Sequence, residues 1–213
     1  MLIKARNRIC KFVQEIFGKI YYRKSAKKLK NHDFTILSSN CMGGILYHRF
    51  GKRFCSPTIN LWMYEQDFQK FCLNIEYYKK HQLEFINNER KYPVANLGKD
   101  EMLIKIFFKH YKSKAEVEDK WNKRIQRIDM NNLFVIATDN DGMTEDMLKR
   151  WEDMKCRNIV VFTANEYSEI KYSFVLEKYR GNSSVGKYVN DKNKFTGIRY
   201  VEKVFDFARF FDS

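Results

Sequence analysis

Residues 132–164 read NLFVIATDNDGMTEDMLKRWEDMKCRNIVVFTA. Two short apolar runs, NLFVIAT and NIVVFTA, flank a segment in which Met147, Leu148, Trp151 and Met154 recur at helical spacing. Thr144 stands just ahead of that stripe, where a hydroxyl accepts from an orphan amide of the first helical turn. Strand, helix and strand in this order make a βαβ unit, and a helical crossover returns the chain to a parallel neighbour.

Outward from this unit the periodicity keeps switching. FTILSS (34–39) predicts a first strand and Gly43 the start of a short helix. TINLWMY (58–64) predicts a second strand, EQDFQKFCLNIEYYKK (65–80) a helix, and HQLEFI (81–86) a weaker strand. EMLIKIFFKHY (101–111) reads as a fourth strand. SKAEVEDKWNKRIQRI (113–128) reads as a helix capped by Ser113, with Val117, Trp121, Ile125 and Ile128 on one face. Beyond the unit, SFVLE (173–177) is a candidate strand, YRGNSSVGKYVNDKNK (179–194) a surface loop, and VEKVFDFARFF (201–211) a closing helix. The alternation predicts an α/β domain with a largely parallel sheet over residues 33–213.

A chain of 213 residues, 44% hydrophobic and 16% aromatic, is long enough to bury a core of its own. With 40 Lys plus Arg against 26 Asp plus Glu, its net charge of +14 points to an anionic partner. Much of the excess sits in residues 1–32, which carry ten Lys or Arg by residue 30 with Glu15 as the single acid. Read as a helix, Ile9, Phe12, Val13, Ile16, Phe17 and Ile20 form one apolar stripe, with Lys4, Arg8, Lys11 and Lys19 largely off it. A basic amphipathic helix of this kind suits an anionic membrane surface, further helped by Arg23, Lys24, Lys27, Lys28 and Lys30. The alternative is a stripe that packs on the domain. Nucleic acid ranks last, because no recognition-module signature is present.

Cys10, Cys41, Cys55, Cys72 and Cys156 are odd in number and show no zinc-type spacing. Without a signal-peptide pattern or a membrane-spanning run, the chain is expected in the reducing cytoplasm with free thiols, peripheral on the inner face of the membrane.

In parallel sheets ligands gather at the carboxyl ends of the strands. Four such ends carry chemistry: Ser39-Asn40-Cys41 with Gly43-Gly44, Tyr64-Glu65, His110-Tyr111, and Asp139-Asn140-Asp141-Gly142. At the first, a glycine turn opening a helix aims amides at an anion, and the helix amino terminus would lower the thiol pKa of Cys41 as a nucleophile. His110 or His48 would serve as base, and Asp139 or Asp141 would orient the imidazole. At the last, Asp139 and Asp141 form a DxD, a pattern that holds a divalent cation against a diphosphate in many nucleotide-sugar glycosyltransferases. Arg124 and Arg127 either form a solvated face or meet a phosphate. The alternatives are bland: a packed cysteine, glycines that allow a tight corner, and an Asp-Gly turn.

The ordered set SSNCMGGILYHRFG, SPTINLWMY, YPVANL, FKHYKSKAEVEDKWNKRIQRI, NLFVIATDNDGMTEDML and VVFT resembles a bacterial family, domain of unknown function 1919, whose members are often labelled exopolysaccharide biosynthesis proteins. The resemblance spans roughly residues 34–211 and leaves the basic amino-terminal segment outside. Its best-matching positions include Asn40, Cys41, Gly43, Gly44, Asn60, His110, Tyr111, Arg124, Asp139 and Asp141. It implies a three-layer, Rossmann-like α/β fold and a setting in capsule or exopolysaccharide assembly, sometimes with an acyltransferase label. The chain is also similar to capsule-modifying acetyltransferases with an Asn-Cys turn after the first strand, although Met42-Gly43 follows here where those carry glutamine. Three expectations result. One is a transferase working on a polysaccharide or lipid-linked saccharide from an acyl-CoA, with Cys41 and His110 catalytic and Asn40, Gly43, Gly44, Asn60, Tyr111 and Arg124 binding ligand. The others are a metal-dependent transferase using a nucleotide-sugar donor and a non-catalytic assembly protein.

Overall fold

The computed structural model describes residues 2–154 and 158–213, without the side chains of residues 2–11, 15, 18 and 19. The side chains of Ile9, Lys4, Arg8, Lys11, Lys19 and Cys10, and all of Cys156, therefore lie outside the described residues. The fold is α/β. A parallel sheet of β1 (Thr35–Ser38), β5 (Leu133–Thr138), β6 (Asn158–Thr163) and β7 (Ser173–Val175) runs in the order β1-β5-β6-β7. In the unit at 132–164, β5 and β6 are parallel and are joined through α6 (Glu145–Lys149), which Thr144 caps by accepting from the Met147 amide at 3.3 Å. The expected helix is shorter than its stripe, since Trp151 sits in a 3-10 turn over Arg150–Asp153 and Met154 follows it in extended backbone.

The middle of the chain departs from the expected parallel alternation. Strands β2 (Glu84–Ile86), β3 (Val94–Leu97) and β4 (Ile104–Phe107) form a separate antiparallel sheet. Their connections are too short for a helical crossover, so the chain can only turn back on itself. YPVANL, which shows little alternation, supplies β3. TINLWMY does not form a full strand; Trp62 makes a single antiparallel bridge to Phe107 and stacks on its ring at 3.9 Å. The helix expected over 65–80 breaks at Asn74 into α3 (Glu65–Leu73) and α4 (Ile75–Tyr78). The closing helix divides at Phe205-Asp206 into α7 (Tyr200–Val204) and α8 (Phe207–Phe211), and the Asp206 carboxylate caps the second piece. Residues Lys114–Ile125 form α5, with Ser113 accepting from the Glu116 amide at 3.2 Å.

Both faces of the parallel sheet are covered. Leu37, Val135, Ala137, Ile159 and Val161 pack with Phe68, Trp121 and Trp151 on one side, while Ile36, Phe134, Ile136, Val160 and Phe162 pack with Tyr47, Val201 and Phe211 on the other. Strands buried on both faces lose the polar alternation of an exposed sheet, which is why LFVIAT is apolar throughout.

The amino-terminal helix α1 (Leu2–Lys28) meets the domain through buried Tyr22 and half-buried Ala26, and the Tyr21 hydroxyl donates to the Glu202 carbonyl at 2.9 Å. Phe12, Ile16, Phe17 and Ile20 are exposed, Phe12 by 63%. At 100° per residue Ile16, Phe17 and Ile20 point away from Tyr22 and Ala26, Phe12 lies at the edge of that contact face, and Val13 is half-buried, so the stripe is exposed over most of its described length. Among the described residues no helix is long and apolar enough to cross a membrane.

Candidate functional site

Strand β1 ends at Ser38, and three residues later α2 (Met42–Arg49) begins with Cys41 as its cap residue. The Asn40 side chain shapes the corner, its Oδ1 accepting from the Met42 amide at 3.0 Å and from Ser38 Oγ at 3.3 Å. Gly43 is buried against β1, where a Cβ would stand 3.3 Å from that of Ser38. Gly44 is pressed as closely on Ile59. The two glycines therefore let α2 settle onto its neighbours, and Gly44 also reaches a cleft wall.

Two clefts meet at this corner. One, of about 540 Å³, is walled by Asn40, Glu65, Lys109, Asn140, Asp141 and Lys187 among others. The second, of about 650 Å³, is walled by Gly44, His48, Arg49, Phe54, Asn60 and Arg199. Cys41, His110, Val189 and Asn190 line both. The structure thus brings the turn after β1 and the histidine after β4 to one place. The thiol differs from expectation: burial pushes the Cys41 pKa up, outweighing Lys109 and Arg199, which draw it down. Cys41 rests as a thiol and needs a base to become a nucleophile.

His110 is placed by its backbone. Trp62 and Phe107 exchange amide hydrogen bonds of 2.9 and 3.0 Å, and the His110 amide donates to the Asn60 carbonyl at 3.2 Å. Asn60 has φ of 62°, a left-handed bend that asparagine tolerates better than most residues. Behind it the Tyr111 hydroxyl donates to the Ile59 carbonyl at 2.8 Å and accepts from Arg124 at 2.9 Å. Both side chains are buried, and the Arg124 guanidinium lies 5.2 Å over the Phe54 ring. Tyr111 and Arg124, expected to bind ligand, line neither cleft, and their bonds brace the 59–60 segment. Arg127 likewise turns inward, donating to the Phe54 carbonyl at 3.3 Å.

The DxD is also turned inward. Asp139 is buried, one carboxylate oxygen accepting from the Ala164 amide at 2.7 Å and the other from the Val185 amide at 2.8 Å. Asp141, at φ of 59°, accepts from the Glu65 amide at 3.0 Å and so caps α3 from another part of the chain. Neither carboxylate bonds the His110 ring among the described residues, so the expected orienting role is not formed. No cluster of three or more His, Cys, Asp or Glu able to hold a metal is present among the described residues.

Asn140 clamps the Gly186 amide and carbonyl at 2.7 and 3.1 Å. With Asp139 it fixes the 184–190 segment over the sheet, where Ser184, Gly186, Lys187, Val189 and Asn190 join the site. The polarity of 179–194 reads as a plain surface loop, because a loop held by amide bonds from a distant turn carries no local signal.

A further residue was visible at a strand end without a role. Glu65, the first residue of α3, is 2% exposed at the base of the first cleft. Its Oε1 accepts from Ser39 Oγ and Thr138 Oγ1, each at 2.5 Å, and its Oε2 from the Thr138 amide at 3.2 Å. Burial lifts its pKa, the hydroxyl and amide donors pull it back, and Asp141 adds a small rise, leaving it pushed up to about 7. A carboxyl group that changes charge near neutrality at the ends of β1 and β5 can give or take a proton there.

A model of the domain of unknown function DUF1919 matches residues 12–212. The chain belongs to the DUF1919 family. The match takes in the second half of α1, so the family's shared region begins earlier than residue 34. An uncharacterized protein of Haemophilus influenzae is 32% identical over 186 residues, covering 87% of each chain.

Proposed function

We propose that this DUF1919 protein is a transferase that passes an acyl group through Cys41 in capsular or exopolysaccharide biosynthesis, working in the cytoplasm on the inner face of the cell membrane. The observation that carries the reading is the position of Cys41: this half-buried residue at a helix amino terminus lines two clefts, and His110 lines both as well. Two clefts meeting at one nucleophile suit a donor and an acceptor that occupy separate sites in turn.

In the first half-reaction His110 takes the Cys41 proton as sulfur attacks the carbonyl carbon of an acyl-CoA thioester. The sulfur–carbon bond forms, the bond to the coenzyme sulfur breaks, and the proton passes from His110 to the departing thiolate. The amides of Gly43 and Gly44, which the first helical turn leaves without acceptors, lie near the developing oxyanion. In the second half-reaction His110 removes the proton of a sugar hydroxyl. That oxygen attacks the acyl-cysteine, and the proton returns to sulfur. Glu65 offers a second proton-exchanging group on the wall of the first cleft.

The Rossmann-like character of the family fold fits this reading, since the site lies at the carboxyl ends of β1 and β5. The outward face of α1 supports the membrane setting. Phe12, Ile16, Phe17 and Ile20 are followed on the exposed surface by Arg23, Lys24, Lys27, Lys28 and Lys30, and each basic residue near anionic lipid contributes about 1 kcal/mol. A metal-dependent glycosyltransferase built on Asp139 and Asp141 would first have to break the three amide contacts that hold them.

The test is a thermal shift with acetyl-CoA, UDP-sugars and GDP-sugars, with and without Mn. Acetyl-CoA is expected to raise the melting temperature by mass action. A rise only with a nucleotide sugar and Mn would move the function to sugar transfer, and silence throughout would favour a non-catalytic assembly role.

A further inference from the structure

The second cleft differs in charge from the first. Its wall carries Arg49, Arg199, His48 and His110 and no carboxylate, whereas the first cleft sets Glu65 and Asp141 against Lys109 and Lys187. The acid nearest these arginines is Glu202, which lies beneath the wall with its side chain 1% exposed. One of its oxygens accepts from the Arg199 amide at 2.9 Å and stands 3.5 Å from the Arg199 guanidinium, while the other is 3.4 Å from Arg49 Nε. Two guanidiniums thus share one carboxylate and keep a net positive charge.

Both arginines are held in place without a ligand. Arg199 Nε donates to the Val189 carbonyl at 2.7 Å, and the Arg49 guanidinium lies 4.1 Å over the Tyr22 ring. Arg49 Nε and Glu202 Oε1 are buried and have no well-aligned hydrogen-bond partner. Arg199 spends Nε on Val189 and one terminal nitrogen on Glu202, and its remaining N–H groups are left for a planar or tetrahedral anion.

We infer that this cleft is the subsite for a diphosphate group, bound between Arg49 and Arg199 with His48 at its edge, which holds the substrate while its reactive end reaches Cys41. The inference rests on the proposed transfer at Cys41 and deepens it by naming the chemistry of the substrate's handle. Size supports it: a cleft of about 650 Å³ whose wall takes in His48, Arg199 and Cys41 has room for a group larger than a lone carboxylate. A diphosphate belongs both to coenzyme A and to a lipid-linked saccharide, and α1 borders this side of the domain through Tyr22.

The experiment is calorimetric titration of the full chain with inorganic pyrophosphate, alongside the rate at which iodoacetamide alkylates Cys41. Binding is expected to weaken at least tenfold in Arg199→Gln and about threefold in His48→Ala, whose side chain is exposed and whose loss leaves the fold intact. Pyrophosphate is expected to slow alkylation of Cys41 in the wild type. Displacement of pyrophosphate by coenzyme A assigns the site to the donor, and displacement by a short polyprenyl diphosphate assigns it to the acceptor. No binding to the wild type, or equal binding to wild type and both variants, would overturn the inference. If pyrophosphate fails to bind but Cys41 still takes up an acyl group, the subsite fails and the transfer reading stands. If it binds while Cys41 stays unacylated, the subsite stands and the transfer reading fails.

Discussion

The turns after β1 and β5 end neighbouring parallel strands, yet they direct their polar groups oppositely. After β5, Asp139 points both carboxylate oxygens at buried amides and Asp141 caps α3, so the acids serve the scaffold. After β1, Cys41 lines two clefts, while Ser38 and Asn40 bond each other in the corner and Ser39 donates to Glu65. Charge at a strand end is thus a poor guide to chemistry by itself. The informative group is one that the fold has placed in a cleft without giving it an internal partner.

Removing Asp139 sharpens the contrast most. Asp139→Ala strands the buried amides of Ala164 and Val185, and chemical denaturation is expected to show a loss of about 2–5 kcal/mol. The 184–190 segment should then lose hydrogen-exchange protection, because its tie to β5 is cut. Wild-type stability in that variant would mean the brace is not formed in solution.

Glu65 gives the next effect. Its folded pKa of about 7 lies above the ordinary 4.5, so the native state holds a proton that the unfolded chain has released between these values. Stability is greatest below about pH 4.5 on this group's account, falls as pH rises, and levels off above about pH 7, a loss of up to about 3 kcal/mol. In Glu65→Gln, denaturation at pH 5 and pH 8 should differ less than in the wild type by that amount. An unchanged pH slope would mean that Glu65 titrates normally. Asp141→Ala, which removes a single cap from α3, is expected to cost about 1 kcal/mol, with the 184–190 segment unaffected.

Much of the parallel sheet was legible because LFVIAT and NIVVFT are long, doubly buried and separated by a capped helical stripe, all of which are local signals. The β2–β4 sheet was not, because its three- and four-residue strands carry too little periodicity to show direction. Cys41, Asn40 and His110, singled out by their position after apolar runs, stand on cleft walls. The burial of Arg124 and Tyr111 was not legible, because a buried cation–hydroxyl pair and a ligand-binding pair have the same composition. Arg49 and Arg199 went unnoticed because they come from α2 and from the start of α7, 150 residues apart, and meet only through Glu202.

The most direct measurement is intact-protein and peptide mass spectrometry after incubation with acetyl-CoA and no acceptor. The account predicts an acetyl adduct on Cys41, released by hydroxylamine as a thioester is, absent from Cys41→Ala and reduced about a hundredfold or more in rate in His110→Ala. Cys55 and Cys72, which line neither cleft, should stay unmodified. An unmodified Cys41 in protein that binds acetyl-CoA, or acetylation of Cys55 and Cys72 at the same rate, would contradict it.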